Sequence, residues 1–207
     1  MQAKQKKIGT SKKPLRWKIC DNVIYFTVVS NGMTGLEWDR VFKEPNDWPE
    51  NYRNPKIIKS HAGRMVLRSK KFRPSKKGTR YRVAVLTYNL FNKERRRDKD
   101  ILAAARHRGF RRPRAELGCL IRVRVSDETL RAMGLRWIVV MHKPVRSYPG
   151  SHVAEGCSAR LGASRGDGGK NDFGNHLRGY ESKSPGGWGD GSGYAFIVPR
   201  KKKKLVR

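Results

Sequence analysis

Between Arg53 and Arg82 the chain carries twelve lysines and arginines and no acid. Guanidinium and ammonium groups at that density are suited to phosphate, and a ring set among them can stack on an unpaired base. The stretch RSKKFRPSKKGTRYR interleaves Phe72 and Tyr81 with its cations. A second cluster, Arg106, Arg108, Arg111, Arg112 and Arg114, surrounds Phe110, and Arg95, Arg96 and Arg97 stand together upstream of it. The residues expected to contact nucleic acid are therefore Arg64, Arg68, Lys70, Lys71, Arg73, Lys76, Lys77, Arg80, Arg95, Arg96, Arg97, Arg108, Arg111, Arg112 and Arg114. The plainer alternative is a solvated cationic surface with the rings tucked into the core.

Catalytic chemistry has weaker support. A metal-dependent nuclease needs histidines or carboxylates converging on a divalent ion beside the phosphate. His142 ends an apolar run, and His152, Asp167, Asp172, His176 and Asp190 fall in a glycine-rich region. None has a spacing such as HExxH, and GGWGDGSG lacks the GK[ST] ending of a phosphate-binding loop. No catalytic residue, metal site or cofactor is assigned, and a binder is favoured over an enzyme.

The 48 Lys and Arg against 17 Asp and Glu give a formal charge of +31 over 207 residues. Charged residues are 31% of the chain, against about 25% in an average domain, so the anomaly lies in the sign. A compact fold with that charge repels itself, and bound phosphates relieve the repulsion. The only acidic stretch, residues 35–52, is expected to face away from a phosphate backbone. No apolar run is long enough to cross a membrane as a helix. Three cysteines without CxxC spacing argue against a disulfide framework and for a reducing compartment, the cytoplasm.

These groups must be positioned by an α+β fold. Arg16 to Val29 reads as a β-hairpin turning at Asp21-Asn22, and Thr34 as the cap of a short helix. YRVAVLTY at 81–88 is a strand, and the arginine-led stretch 92–109 is a helix ended by Gly109. Leu117, Cys119, Ile121, Val123 and Val125 all fall on odd positions, with Arg122 and Arg124 on the other face, and predict a half-buried strand. Ser126 caps a short helix ended by Gly134, LRWIVVMH is the next strand, and YAFIV the last. Thirteen of the 21 glycines lie between Gly150 and Gly193, which is the composition of a long loop.

Several strings resemble a family of small uncharacterised bacterial proteins of candidate-phylum type. They are HAGRMVLRSKKFRPSKKGTRYRVAVL, VSDETLRAMGLRWIVVMHKPV and GWGDGSGYAFIVP, within a similarity spanning roughly residues 33 to 199. The resemblance implies one domain and carries no assigned activity. Its members are less basic, with Glu in place of Lys143, which makes lineage composition a competing source of the charge.

The expectation is a single α+β domain over 16–199, with a mixed or antiparallel sheet of about five to six strands and two or three helices. It has a glycine-rich loop region at 150–193, flanked by a disordered basic arm at 1–15 and a basic tail at 200–207. Its expected role is to bind nucleic acid through the phosphate backbone, RNA slightly ahead of DNA. The alternatives are a nucleic-acid-processing enzyme such as a metal-dependent nuclease, or a small-molecule or protein-interaction domain with lineage-driven charge. Oligomeric state is left open.

Overall fold

The computed structural model describes residues 14–42, 58–146, 158–165, 176–181 and 188–200. Of the expected arm at 1–15 and tail at 200–207, residues 1–13 and 201–207 lie outside the described residues. Strands β1 (Trp17–Cys20) and β2 (Val23–Val29) form the hairpin, with Asp21 and Asn22 at φ 50° and 57°. Two residues with positive φ make a turn whose twist matches that of paired strands, and Asp and Asn tolerate that region best after Gly.

Helix α1 (Gly35–Val41) begins at Thr34, whose hydroxyl accepts from the Glu37 amide while the Glu37 carboxylate accepts from the Thr34 amide. That reciprocal box satisfies two amide donors the helix itself leaves open. After β3 (Ile58–Lys59), Ser60 caps α2 (His61–Arg68). Strand β4 (Arg80–Thr87) is followed by α3 (Asp98–His107), α4 (Glu116–Arg124) and α5 (Asp127–Ala132). Then come β5 (Trp137–Val140), β6 (Val145–Arg146), β7 (Ser158–Ser164), β8 (His176–Glu181) and β9 (Ser192–Ile197).

The nine strands make one mixed sheet in the order β1-β2-β4-β9-β5-β7-β8-β3, with β6 on β7. Strand β9 lies between antiparallel β4 and parallel β5, and β3 runs parallel to β8. Two of the nine have only two residues, so seven longer strands stand where five to six were expected. Five α-helices are present among the described residues, against two or three expected. One sheet face packs α1, α2, α4 and α5 over Ile24, Phe26, Val83, Val85, Ile138 and Leu161. The other packs α3, through Ile101 and Ala105, over Val23, Ala84, Leu86, Tyr194 and Phe196. No described helix is long and apolar enough to cross a membrane.

Three expectations are corrected. The predicted strand at 117–125 is helix α4, with every residue from Glu116 to Arg122 buried. A helix enclosed on several sides shows no polar stripe, so its 3.6-residue period is invisible and chance alternation reads as a strand. Its cations sit in the last turn, where Arg122 donates to the Val125 and Ser164 carbonyls and pairs with Asp127 at 3.3 Å. The helix predicted from residue 92 begins only at Asp98, with Arg97 as its N-cap, so Asp98 and Asp100 occupy the first turn. Carboxylates there suit the helix dipole, which the three arginines would have opposed. The glycine-rich stretch is not all loop, because it contains β7 and β8. Gly179 lies so close to α2 that an added Cβ would sit 2.5 Å from Ala62. Glycine serves there as a packing residue.

Candidate nucleic-acid interface

Helix α3 covers only part of its sheet face. In the register of β1, β2 and β4, Lys18 pairs with Tyr25 and Tyr25 with Ala84, while Thr27 pairs with Arg82 and Val29 with Arg80. Directly paired residues share a face, so Lys18, Tyr25, Thr27, Val29, Arg80 and Arg82 form a continuous patch beyond the α3 contact. Alternation puts Arg16, one residue before β1, on the same side. All are exposed except Tyr25, which is half-buried.

The Tyr25 ring is held by neighbours of two kinds. Phe110 meets it edge-on, with centroids 6.4 Å apart and planes at 82°. The Arg82 guanidinium lies over it, 5.9 Å from the centroid. An open groove of about 560 Å³ at this corner of the sheet is lined by Arg16, Lys18, Tyr25, Thr27 and Arg82 of this face and by Trp17, Phe26 and the α4 residue Arg124 of the opposite one. Among the described residues its lining has four cations and no carboxylate.

Phe110 brings the 108–114 cluster beside this face. Gly109, at φ 70°, reverses the chain after α3, and Arg111 then exchanges two backbone hydrogen bonds with Ile197, of 2.8 and 2.9 Å. Arg111 and Arg112 are exposed, and Arg108 donates to the Ala104 carbonyl at the end of its own helix. Arg114 donates to the Pro74 carbonyl at 3.1 Å and so ties this cluster to the basic loop after α2.

That loop carries Lys70, Lys71, Arg73, Lys76 and Lys77, all exposed. Its anchor is the buried Glu116 at the start of α4. The Glu116 carboxylate accepts from the Ser75 amide at 2.9 Å, the Tyr81 hydroxyl at 3.3 Å and the Ser30 hydroxyl. Burial, more than these contacts, pushes the Tyr81 phenol above its ordinary value. Phe72, only 6% exposed, belongs to the core, and Tyr81 packs partly against it with its hydroxyl held by Glu116.

Other predicted contacts are engaged inside the protein. Arg64 and Arg68 on α2 turn toward Asp39, at 3.9 and 2.7 Å, and Lys59 joins them at 2.8 Å. Burial alone would raise the Asp39 carboxyl, but hydrogen bonds from Lys59 and Arg68 hold it below its ordinary value. At least one acid of the 35–52 stretch therefore points inward, where it neutralises cations, rather than away into solvent. Arg96 is buried, paired with Asp190 and set 5.2 Å from the Tyr88 ring centroid, while Arg95 and Arg97 remain exposed.

The site list drawn from sequence lacked Arg16, Lys18, Tyr25, Arg82 and Arg124. The alternation of Arg16 with Lys18 and of Tyr25 with Thr27 carried part of the signal. Their convergence with Arg82 depends on strand register.

His142 uses both ring nitrogens structurally. Its Nε2 accepts from the Leu161 amide at 2.9 Å and its Nδ1–H donates to the Lys143 carbonyl at 2.6 Å. Behind it, Arg160 donates to the His142 carbonyl at 3.0 Å and pairs with Asp98 at 2.6 Å. Burial pushes the imidazole from 6.5 down to about 4, although the Lys143 carbonyl works the other way. Asp190 is held by Arg96, while His152, Asp167 and Asp172 lie outside the described residues. Among the described residues no group of three or more His, Cys, Asp or Glu is placed to hold a metal ion.

A histidine that titrates lower folded than unfolded lets the unfolded chain take up the proton first. Its contribution is complete above about pH 6.5 and drains away as the pH falls toward 4, by up to about 3 kcal/mol. Urea unfolding midpoints should drop over that window, and His142→Gln should remove part of the slope. A wild-type stability independent of pH between these limits would contradict the assignment.

Compared with protein-family models, curated proteins and solved structures, the chain matches none.

Proposed function

We propose that the protein binds nucleic acid, RNA ahead of DNA, through phosphate contacts from its clustered lysines and arginines. The observation that carries the reading is a groove lined, among the described residues, by four cations and no carboxylate. The exposed loop cations from Lys70 to Lys77 and the exposed Arg111 and Arg112 add to it. Cations gathered in excess of acids repel one another unless anions are near. A charge set only by lineage composition would have no reason to collect at one corner of the sheet. The lean toward RNA follows from cations on loops and an open sheet with an aromatic ring, features that suit irregular or unpaired strands. Exposed Cys20 and buried Cys119 are free thiols, which suits work in the cytoplasm.

If about six phosphates are contacted, log K should fall with log[salt] at a slope of about −4 on a single strand and about −5 on duplex DNA. Fluorescence anisotropy across a salt series measures it. Affinity that ignores salt would remove the phosphate reading.

A further inference from the structure

We infer that the bare corner of the sheet takes a single strand, with one base stacked on Tyr25 and flanking phosphates on Arg16, Lys18 and Arg82. The inference rests on the nucleic-acid reading above and narrows it to one site and one form of ligand.

The argument begins with the ring. A base offers its face to a protein only when it is unpaired, because a duplex keeps base faces stacked and shows only their edges in the grooves. Tyr25 stands within the sheet surface, between Lys18 on one neighbouring strand and Ala84 on the other. Phe110 packs against it edge-on and fixes its plane. Among the described residues the charged group over the ring is the Arg82 guanidinium, and 5.9 Å is near the outer limit of a cation–π contact. A flat base can slip between ring and guanidinium, or stack on the guanidinium itself, and exchange that weak contact for a better one.

The spacing of the cations fits the same ligand. Strands in a sheet are about 4.8 Å apart, so the cations of β1 and β4 straddle β2 at about 10 Å. One backbone lies between two such rows with its base over the ring, while Thr27 offers an exposed hydroxyl midway. With no carboxylate in the lining among the described residues, none of them repels the phosphates.

The test uses the full chain and labelled oligonucleotides of about 12 nucleotides, long enough to span one such surface. Oligo-U and oligo-dT are the single-stranded arms, and RNA and DNA duplexes of the same length are the others. The single strands should bind more tightly than the duplexes. Tyr25→Ala should weaken single-strand binding by about 5- to 100-fold, the loss expected for one stacked base, with the salt slope unchanged. Tyr25→Phe should retain the affinity. The double variant Lys18→Gln, Arg82→Gln should instead flatten the salt slope by about 1.5.

Should Tyr25→Ala fail to fold, photocrosslinking of the wild-type chain to 4-thiouridine RNA decides, since the crosslinked peptide must contain Tyr25. Duplex preferred over single strand, Tyr25→Ala within twofold of wild type, or a crosslink elsewhere would overturn the inference and leave nucleic-acid binding standing. A wild-type chain that binds none of the four would overturn both. The ratio between oligo-U and oligo-dT separately tests the preference for RNA.

Discussion

Glu116→Leu is expected to destabilise the protein by about 3 kcal/mol, although it places an apolar side chain in an apolar core. Glu116 is completely buried and receives the Ser75 amide, the Tyr81 hydroxyl and the Ser30 hydroxyl. Removing the acceptor leaves buried and partly buried donors short of a partner, at about 1–3 kcal/mol for each one that finds no other. The two hydroxyls have alternatives nearby, in the Ser75 carbonyl for Ser30 and the Ser75 hydroxyl for Tyr81. Among the described residues the Ser75 amide has no second acceptor, and it holds the basic loop down. Denaturant unfolding should show the loss, and hydrogen exchange should show the Ser75 amide losing its protection. The substitution also frees the loop that carries Arg73, Lys76 and Lys77. On the proposed function, weaker nucleic-acid binding should accompany the lost stability. Stability within about 0.5 kcal/mol of wild type, the range of an ordinary surface change, would contradict the role given to Glu116.

Gly35→Ala is expected to cost as much through a single methyl group. A Cβ at Gly35 would lie 1.8 Å from the Leu67 carbonyl oxygen and 2.9 Å from its carbon. These are backbone atoms of α2, so no rotamer change can clear them and the two helices must separate. Phe72, whose ring would lie 3.1 Å away, fills the same contact and would be displaced with them. Overpacking of this kind costs about 1–3 kcal/mol in a core that can relax, and a rigid backbone contact belongs at the top of that range. The melting temperature should fall by about 10 °C. Leu36→Ala, one residue further along α1 and 56% exposed, is the control and should change stability by about 0.5 kcal/mol or less.

Features with short-range causes were legible in the sequence. The Asp21-Asn22 turn, the Thr34 and Ser126 caps and the reversal at Gly109 are each decided within a few residues, and all are present. The strands at 80–87, 137–140 and 192–197 could be read because their apolar runs are long for their polar interruptions. What failed depended on surroundings. Helix α4 could not be read because burial on several sides leaves no stripe to find. Strands β7 and β8 were hidden by the surrounding glycines, of which Gly179 serves close packing. At the candidate site the exposed loop cations were visible as a run. Arg64, Arg68 and Arg96 looked equally free, but their partners, Asp39 and Asp190, lie far away in sequence. The Tyr25 corner draws on two strands of a hairpin and a third that begins only at Arg80, so its assembly is a matter of register.

The position of β9 between β4 and β5 sets a timetable for synthesis. A ribosome completes β4 at Thr87 and β5 at Val140, yet neither has its shared neighbour until Ser192 to Ile197 has emerged. Until then Val83–Leu86 and Ile138–Val140 stand as unpaired, apolar edges. Such edges pair readily with other chains, and the long loop that must close to cover them makes the step slow. The centre of this sheet is therefore the last part to form. A nascent chain halted before Ser192 should be a client for chaperones, however well its N-terminal hairpin has already folded.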